Sequence, residues 1–579
     1  MIAVAVAVLV VTYRRLWYGV DLTDESFYVV LPYRLVLGAR PFVDETSVTQ
    51  QTTAILLYPF VRAWYAAAGM TGIVLFVRHL QLVLSLVVAF AVYGSARLLL
   101  DARRAAVVAL ACVAFVPFAI HSVSYDSAGS ALFTAGCLLG LRPLIEPRRR
   151  WSGIVGGVCL GLAAFAYPPL LIPVAFSVAV QLVLRRGRGI VGAALALGLP
   201  LAGMGALVAG AGLSKVVDDY RRSSTFLGQA GGTAKVAEIA RHTWTTFPMW
   251  WVVLPALALL GLVWRYRRVL ALPLLLALPI LVLPQTLDSF RASLDYAAHF
   301  GLLGLPLFFL VRRRRGALPL LLAVWLPGFV AGLTTAYSSA NGGVNFAVGG
   351  FATAIATAVF LVLACEDALV SVPRVDARIV ALVPAVAVLA VLAIADTWPV
   401  YRDSNLSALT ARVPSGPYAG LVTTPWKARY VVRMQHDLSR FGERCTILFF
   451  DDFPAGYLLS DAKPDTNGAW TATVASNLTA PYERQLLGYY GRRGYPDVVV
   501  IVRRIPYAAR SSGRSILYRT NEPLVAAVRS RGYQLVRWRR AYAVYERLQG
   551  CGRQWTTRTS GGSSTATERG GSVTMSTRS

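Results

Sequence analysis

Acidic residues are scarce in this chain: its 579 residues include 29 Asp and Glu against 57 Lys and Arg, a formal net charge of +28. Histidine is scarcer still, at five, with no H-x-x-x-H pair, and the six cysteines include no C-x-x-C. Tightly held structural metals draw on such spacings, so none is expected. The glycine-rich run "GIVGGVCLGLAAF" follows no strand and leads to no Gly-Lys-Ser/Thr, which removes a phosphate-binding loop. Gly157 and Gly161 fit close helix packing instead. Nor do the cations gather on one continuous face, as a nucleic-acid binder would require. No nucleic-acid partner is expected.

Apolar sequence is abundant. Hydrophobic residues make up 56% of the chain and charged residues 15%, with a mean hydropathy of +0.55. This composition belongs to a polytopic α-helical membrane protein. Its arginines come in short clusters: Arg103 and Arg104; Arg148 to Arg150; Arg185, Arg186 and Arg188; Arg265, Arg267 and Arg268; Arg312 to Arg315; Arg374 and Arg378. Neighbouring clusters are separated by enough apolar sequence for two helices of about 20 residues, the length that crosses a bilayer core. This is the positive-inside pattern repeated along the chain. It predicts about 13 transmembrane helices within residues 1–396, an inner N-terminus and outer loops at 14–70, 211–248 and 334–346, all in an integral plasma-membrane protein.

Two features resist this topology. "MIAVAVAVLVVTY" is short for a span and precedes Arg14 and Arg15, as though the true start lay earlier. A cleaved signal peptide is not expected, because no basic residues precede the run and no small-x-small site follows it. If "AILLYPFVRAWYAAAG" from Ala54 crossed the membrane, the acidic loop would be cytoplasmic. Arg62 interrupts that run, which suits a helix lying in the interface better.

On this topology the informative polar residues collect on the outer side. The first outer loop holds Asp21, Asp24, Glu25, Tyr28, Asp44 and Gln50; the next holds Tyr125 and Asp126; later loops bring Arg221, Arg222, Arg291, His299 and Asn341. Arg78 and His79 are near-exceptions to apolar runs that are otherwise almost without ionisable groups. Ion-coupled transporters keep charge at the bilayer midplane, whereas an enzyme acting on a lipid-anchored substrate needs its chemistry at the interface. The pattern favours the enzyme over a lipid-linked-glycan transporter or flippase, or over a non-catalytic membrane scaffold. Each residue also has a plainer reading, as a hydrated loop carboxylate or as a snorkelling arginine. A divalent ion between Asp24 or Glu25 and another outer-loop acid stays open.

After Asp396 the pattern changes. "TPWKARYVVRMQHDLSRF" has helical periodicity, "CTILFF" and "DVVVIV" read as buried strands, "EPLVAAVRSRG" as a helix, and "YQLVRW" and "AYAVYE" as alternating strands. Residues 397–550 are expected to form a small extracytoplasmic α/β domain. Asp451 and Asp452 fall at a strand's carboxyl end, a common ligand position, although a turn or helix cap is the plainer reading of them. Cys445 and Cys551 bracket the domain, and an oxidising compartment favours their pairing. Residues 551–579, rich in Ser, Thr and Gly, are expected to be disordered.

An N-terminal span, the acidic pair in "LTDESFYV", the stretch "GARPFVDE", Arg-punctuated hairpins and an outer C-terminal domain together resemble the GT-C glycosyltransferases, such as protein mannosyltransferases and aminoarabinose transferases. The likeness covers about the first 400 residues in architecture and the first outer loop in motif. It implies a polyprenyl-phosphate-linked sugar donor, transfer with inversion on the extracytoplasmic side to a glycan, lipid or protein, and an active-site Asp that maps onto Asp24 with Glu25 beside it. The lysine-proline pair that often follows the loop in aminoarabinose-type members is here "QQTTAILLYP". The cation for the phosphate is then expected from Arg221, Arg222 or Arg291. A phosphate on C1 already leaves readily, so a single carboxylate base and cations would suffice.

Overall fold

The chain opens with α1 (Ile2–Arg15), turns through the acidic segment into α2 (Asp24–Val36), and continues as α3 (Val48–Ala68) and the long apolar α4 (Ile73–Ala96). This is a computed structural model, and it describes residues 2–46, 48–226, 232–247, 250–284, 289–369, 382–397, 400–450, 453–469, 479–505, 514–515, 530–548 and 551. The tail from 552, Asp451, Asp452 and residues 522–529 of the segment expected as a helix, "EPLVAAVR", lie outside the described residues.

Proline decides where several apolar runs stop being helix. α5 (Ala102–Ala114) ends just ahead of Pro117 and α6 (Tyr125–Ile145) follows; α7 (Arg150–Ala166) stops ahead of Pro168, and α8 (Leu171–Leu184) resumes the run. The residue before a proline avoids the helical region, and proline itself lacks a donor. Next come α9 (Ile190–Ala211), α10 (Leu213–Phe226), α11 (Thr233–Thr246), α12 (Trp250–Tyr266) and α13 (Leu272–Leu281). After them lie α14 (Ala292–Leu302), α15 (Gly304–Val311), α16 (Ala317–Leu320), α17 (Leu326–Ser338), α18 (Phe346–Leu369) and a last apolar helix, Val383–Thr397. Among the described residues six helical stretches are long and apolar enough to cross a membrane, and four further apolar helices are 10–17 residues long. The arginine spacing predicts about 13; the break ahead of Pro168 divides one apolar run into two of the shorter helices. α3 is not among the six, and Thr52 and Thr53 in its first half donate to the carbonyl of Ala166 (3.2 and 2.9 Å).

α18 is apolar all round and its apolar stretch is wholly buried, which makes it the central post of the bundle. α7 and α9 approach so closely that a Cβ on Gly157 would fall 2.1 Å from the Gly192 carbonyl oxygen. These glycines serve helix contact, as their spacing implies.

Beyond the last apolar helix, β1 (Ala411–Arg412) pairs with β2 (Val422–Thr423), followed by the helix Pro425–Leu438. A five-stranded sheet then forms from β3 (Thr446–Phe450), β4 (Lys463–Pro464), β5 (Val498–Val502), β8 (Tyr533–Trp538) and β9 (Tyr542–Arg547), while β6 (Arg504–Ile505) and β7 (Arg514–Ser515) make a separate pair. Its order is β4-β3-β5-β9-β8, with β3 parallel to β4 and β5, and β9 antiparallel to β5 and β8. All five β5 residues are buried, as a valine-rich central strand requires. A disulfide joins Cys445, just ahead of β3, to Cys551, beyond β9.

The sheet region grips the first loop at several points. The Thr46 N–H donates to Asn467 O (2.7 Å), and Arg34 Nη2 donates to Thr466 O (2.7 Å) while its other nitrogen pairs with buried Glu45. Gly19 N–H donates to Val422 O (2.8 Å). The acidic loop and the C-terminal region therefore share one face of the molecule.

Candidate active site

The three acids that crowd the start of α2 are separated by the fold into three jobs. Asp21 Oδ1 accepts from the Thr23 N–H (2.9 Å) and hydroxyl (2.6 Å), and its Oδ2 accepts from the Glu25 N–H (2.8 Å). It thereby satisfies an amide of the first helical turn, where a negative charge is also favoured by the helix dipole. Glu25 is buried and bidentate with Arg78: Nε reaches Oε1 at 2.7 Å and Nη2 reaches Oε2 at 2.6 Å. Arg78 also donates to the carbonyls of Leu16, Tyr18 and Gly19 (2.6, 3.1 and 2.9 Å). Glu25, expected beside Asp24 at the site, thus has its carboxylate paired with Arg78 inside the protein.

Asp24 has a different environment from the other two. Its Oδ2 accepts a hydrogen bond from the Tyr401 hydroxyl and lies 3.0 Å from Arg402 Nη1. Burial pushes its carboxyl up to about 6; Arg402 opposes the rise, Asp21 adds to it, and the Tyr401 hydrogen bond opposes it. The neighbouring like charge is thus Asp21.

Tyr401 and Arg402 were not anticipated from the sequence. They follow the last apolar helix and are held by a buried anchor. Asp403 accepts from Val20 N–H (2.9 Å) and the Thr423 hydroxyl (2.5 Å) and pairs with Lys427 Nζ (3.2 Å). Lys427 in turn donates to the carbonyls of Val20 (2.9 Å) and Arg402 (2.7 Å). Burial lowers the Lys427 ammonium, against the pull of Asp403. Gly19, at φ 88°, lies so close to Val400 that a Cβ would come within 2.2 Å of its methyl. Arg402 itself is left-handed at φ 49°, as are Phe118 and Ala119 between α5 and α6 at 58° and 55°. Such conformations cost a non-glycine residue about 1–2 kcal/mol. Strain of this kind collects at functional sites.

The sequence signal for the missed pair was "YRDS", a tyrosine and arginine as near to an outer span end as Asp24 is to its own.

Aromatic rings line the approach. Tyr28 meets Tyr125 edge-on at 6.1 Å, and Tyr125 meets Tyr167 at 5.0 Å. Gln50 Oε1 accepts from the Tyr125 N–H (2.9 Å). Asp126 is buried, lies within electrostatic reach of Asp24, and its Oδ1 has no hydrogen-bond partner among the described residues. Arg291 is exposed and lies over Phe290 (5.3 Å), whose ring packs against Tyr401 (5.1 Å).

Asp44, His299 and Asn341 have their partners away from Asp24. Asp44 pairs with Arg493 (2.8 Å) and Arg40; burial opposes these bonds, but they hold its carboxyl below the usual range. Arg221 is exposed on α10, which packs against α3 and α9. The Arg222 side chain lies outside the described residues. His299 bonds Thr246 Oγ1 (3.1 Å) under the ring of Phe247, and Asn341 is exposed with its N–H on Ser339.

Among the described residues no three His, Cys, Asp or Glu side chains converge on a point. Hard divalent ions take six or more oxygens. Of the described acids near this point, Asp24 is held by Arg402 and Tyr401, and Asp126 lies within its electrostatic reach.

No protein-family pattern matches the chain, and no match was found among curated proteins. Among solved structures, ArnT from Cupriavidus metallidurans in the apo state aligns with 94% of this chain and 97% of its own, at 13% identity and a TM-score of 0.49. The archaeal oligosaccharyltransferase AglB from Archaeoglobus fulgidus, in complex with an inhibitory peptide and a dolichol-phosphate, aligns with 86% of this chain and 69% of its own, at 14% identity and a TM-score of 0.41.

Proposed function

We propose that this chain is a multi-pass membrane glycosyltransferase that moves a sugar from a polyprenyl-phosphate-linked donor to a hydroxyl of an extracytoplasmic glycan, lipid or protein. The observation that carries this reading is the pairing of one proton-accepting carboxylate, Asp24, with one cation, Arg402, 3.0 Å away at the membrane end of the outer loop. A donor whose tail stays in the bilayer presents its C1–phosphate bond at that depth. The acceptor O–H gives its proton to Asp24 as its oxygen bonds to C1; the C1–O bond to phosphate breaks with its electron pair on the phosphate, and the anomeric centre inverts. Arg402, with Arg291 beyond Phe290, offsets charge on the departing phosphate. Tyr28 and Tyr125 offer ring faces to the sugar, and the unpartnered oxygen of Asp126 offers an acceptor for a sugar hydroxyl. No step passes through a metal.

The test is paired. Lipid extracts of a deletion strain should accumulate a polyprenyl-phosphate sugar by mass spectrometry, and the purified protein in proteoliposomes should release polyprenyl phosphate from that lipid when acceptor is added. Accumulation of donor confined to the inner leaflet, with no release by the purified protein, would favour a flippase instead.

A further inference from the structure

The C-terminal region carries a second basic site that the reaction does not use. A groove of about 620 Å³ runs between β1 and the exposed face of the helix Pro425–Leu438. Arg412, Arg429, Arg433, His436 and Arg539 line it, over an apolar floor that includes Val432. Arg429, Arg433 and His436 recur at helical spacing, so all three face the same way. Arg539 donates two bonds to the Asp437 carboxylate (2.9 and 3.1 Å), which fixes its guanidinium at the wall. Among the described residues no carboxylate pairs with Arg412, Arg429 or Arg433. Arg429 and Arg433, one turn apart, repel one another, and an anion between them removes that cost.

The groove's surroundings indicate which anion. Arg412 lies over the ring of Trp17 (5.9 Å), which directly follows α1. The adjoining segment bonds the first turn of α4: the Gly72 N–H reaches Gly416 O (2.9 Å) and the Val74 N–H reaches Pro417 O (3.2 Å). The groove therefore opens where two apolar helices end, at the level of the headgroups. Trp426, 39% exposed beside it, is the residue type that anchors at that boundary. A soluble acidic glycan would require none of this placement. We propose that the groove binds the headgroup phosphate of an anionic phospholipid.

Full-length protein in vesicles of phosphatidylglycerol and phosphatidylcholine, extracted gently and weighed intact by native mass spectrometry, should retain phosphatidylglycerol selectively. Each arginine near an anionic surface strengthens binding about fivefold, so R429Q/R433Q should lower that selectivity by roughly 30-fold. R429K/R433K should keep most of it, since a phosphate accepts a point charge. R444Q, an exposed arginine of the same region outside the groove, should change nothing. If the double glutamine variant fails to fold, R429Q alone should show its fivefold share. Equal phosphatidylglycerol retention in wild type and R429Q/R433Q would overturn the proposal. So would loss of oligogalacturonate binding in that variant with lipid selectivity intact, which would make the groove a glycan site.

Discussion

Glu25 and Arg78, 53 residues apart, form a bidentate ion pair in which each side chain is at most 5% exposed. Removing one member of such a pair leaves an uncompensated buried charge and costs about 3–5 kcal/mol. Glu25→Gln is therefore expected to lower the thermal unfolding midpoint of the detergent-solubilised protein markedly. Arg78→Met should cost more, because three backbone carbonyls lose their donor as well. A Glu25→Gln protein as stable as wild type but catalytically dead would return Glu25 to the chemistry.

The placement of the acidic loop and the sheet region on one face makes a labelling prediction. Single cysteines replacing Arg40 and Arg492, both exposed, should react equally with a membrane-impermeant thiol reagent added to intact cells. Reaction at 492 alone would separate the loop from the sheet and contradict the contacts between them.

The Cys445–Cys551 disulfide spans 106 residues of sequence. Closing a loop of about 100 residues restricts the unfolded chain by about 4.7 kcal/mol in the chain-entropy description. Cys551→Ser should accordingly make the region from 445 onward the first to yield to limited proteolysis, while the membrane helices stay protected. Two thiols titrating at these positions in the non-reduced protein would show that the bond does not form.

Local pattern carried much of this fold. "CTILFF", "DVVVIV", "YQLVRW" and "AYAVYE" stand as β3, β5, β8 and β9 because β-branched and aromatic runs bounded by turn residues specify strands locally. Asp24 stood out in the sequence as one of an acidic pair a short connection after the first apolar run. Its partners did not: Tyr401 lies 377 residues away, and no local signal connects the two. Arg78 showed as a charge inside an apolar run, which announces a partner without naming it. Asp44 looked like its neighbours in the loop, yet its partner Arg493 lies on a helix of the C-terminal region, so composition alone could not tell an anchor from a ligand. Where one apolar run breaks into two helices, as at Pro168 between Arg150–Ala166 and Leu171–Leu184, hydropathy shows only the length of apolar sequence and not the break.

Asp24→Asn keeps the shape of the side chain and removes the proton acceptor. Turnover should fall by roughly 10²- to 10⁴-fold, as general-base loss does, while donor binding changes little. The electrostatics add a test that a structural role would not pass. Because burial and Asp21 raise the carboxyl to about 6 and Arg402 pulls it down, kcat/KM of the wild type should rise with pH through a midpoint near 6 and level off above it. A base must be deprotonated to act, so activity is lost on the acid side. Arg402→Gln removes the cation that favours the carboxylate, so the midpoint should move to higher pH. The plateau should also drop, since the departing phosphate loses its counter-charge. Tyr401→Phe removes a hydrogen bond to the ionised form and should move the midpoint in the same direction by less, with a smaller effect on the plateau. A pH profile for Arg402→Gln that keeps the wild-type midpoint while its rate collapses would place Arg402 on the phosphate alone and separate it from Asp24. A wild-type rate in Asp24→Asn would remove the base from this loop altogether.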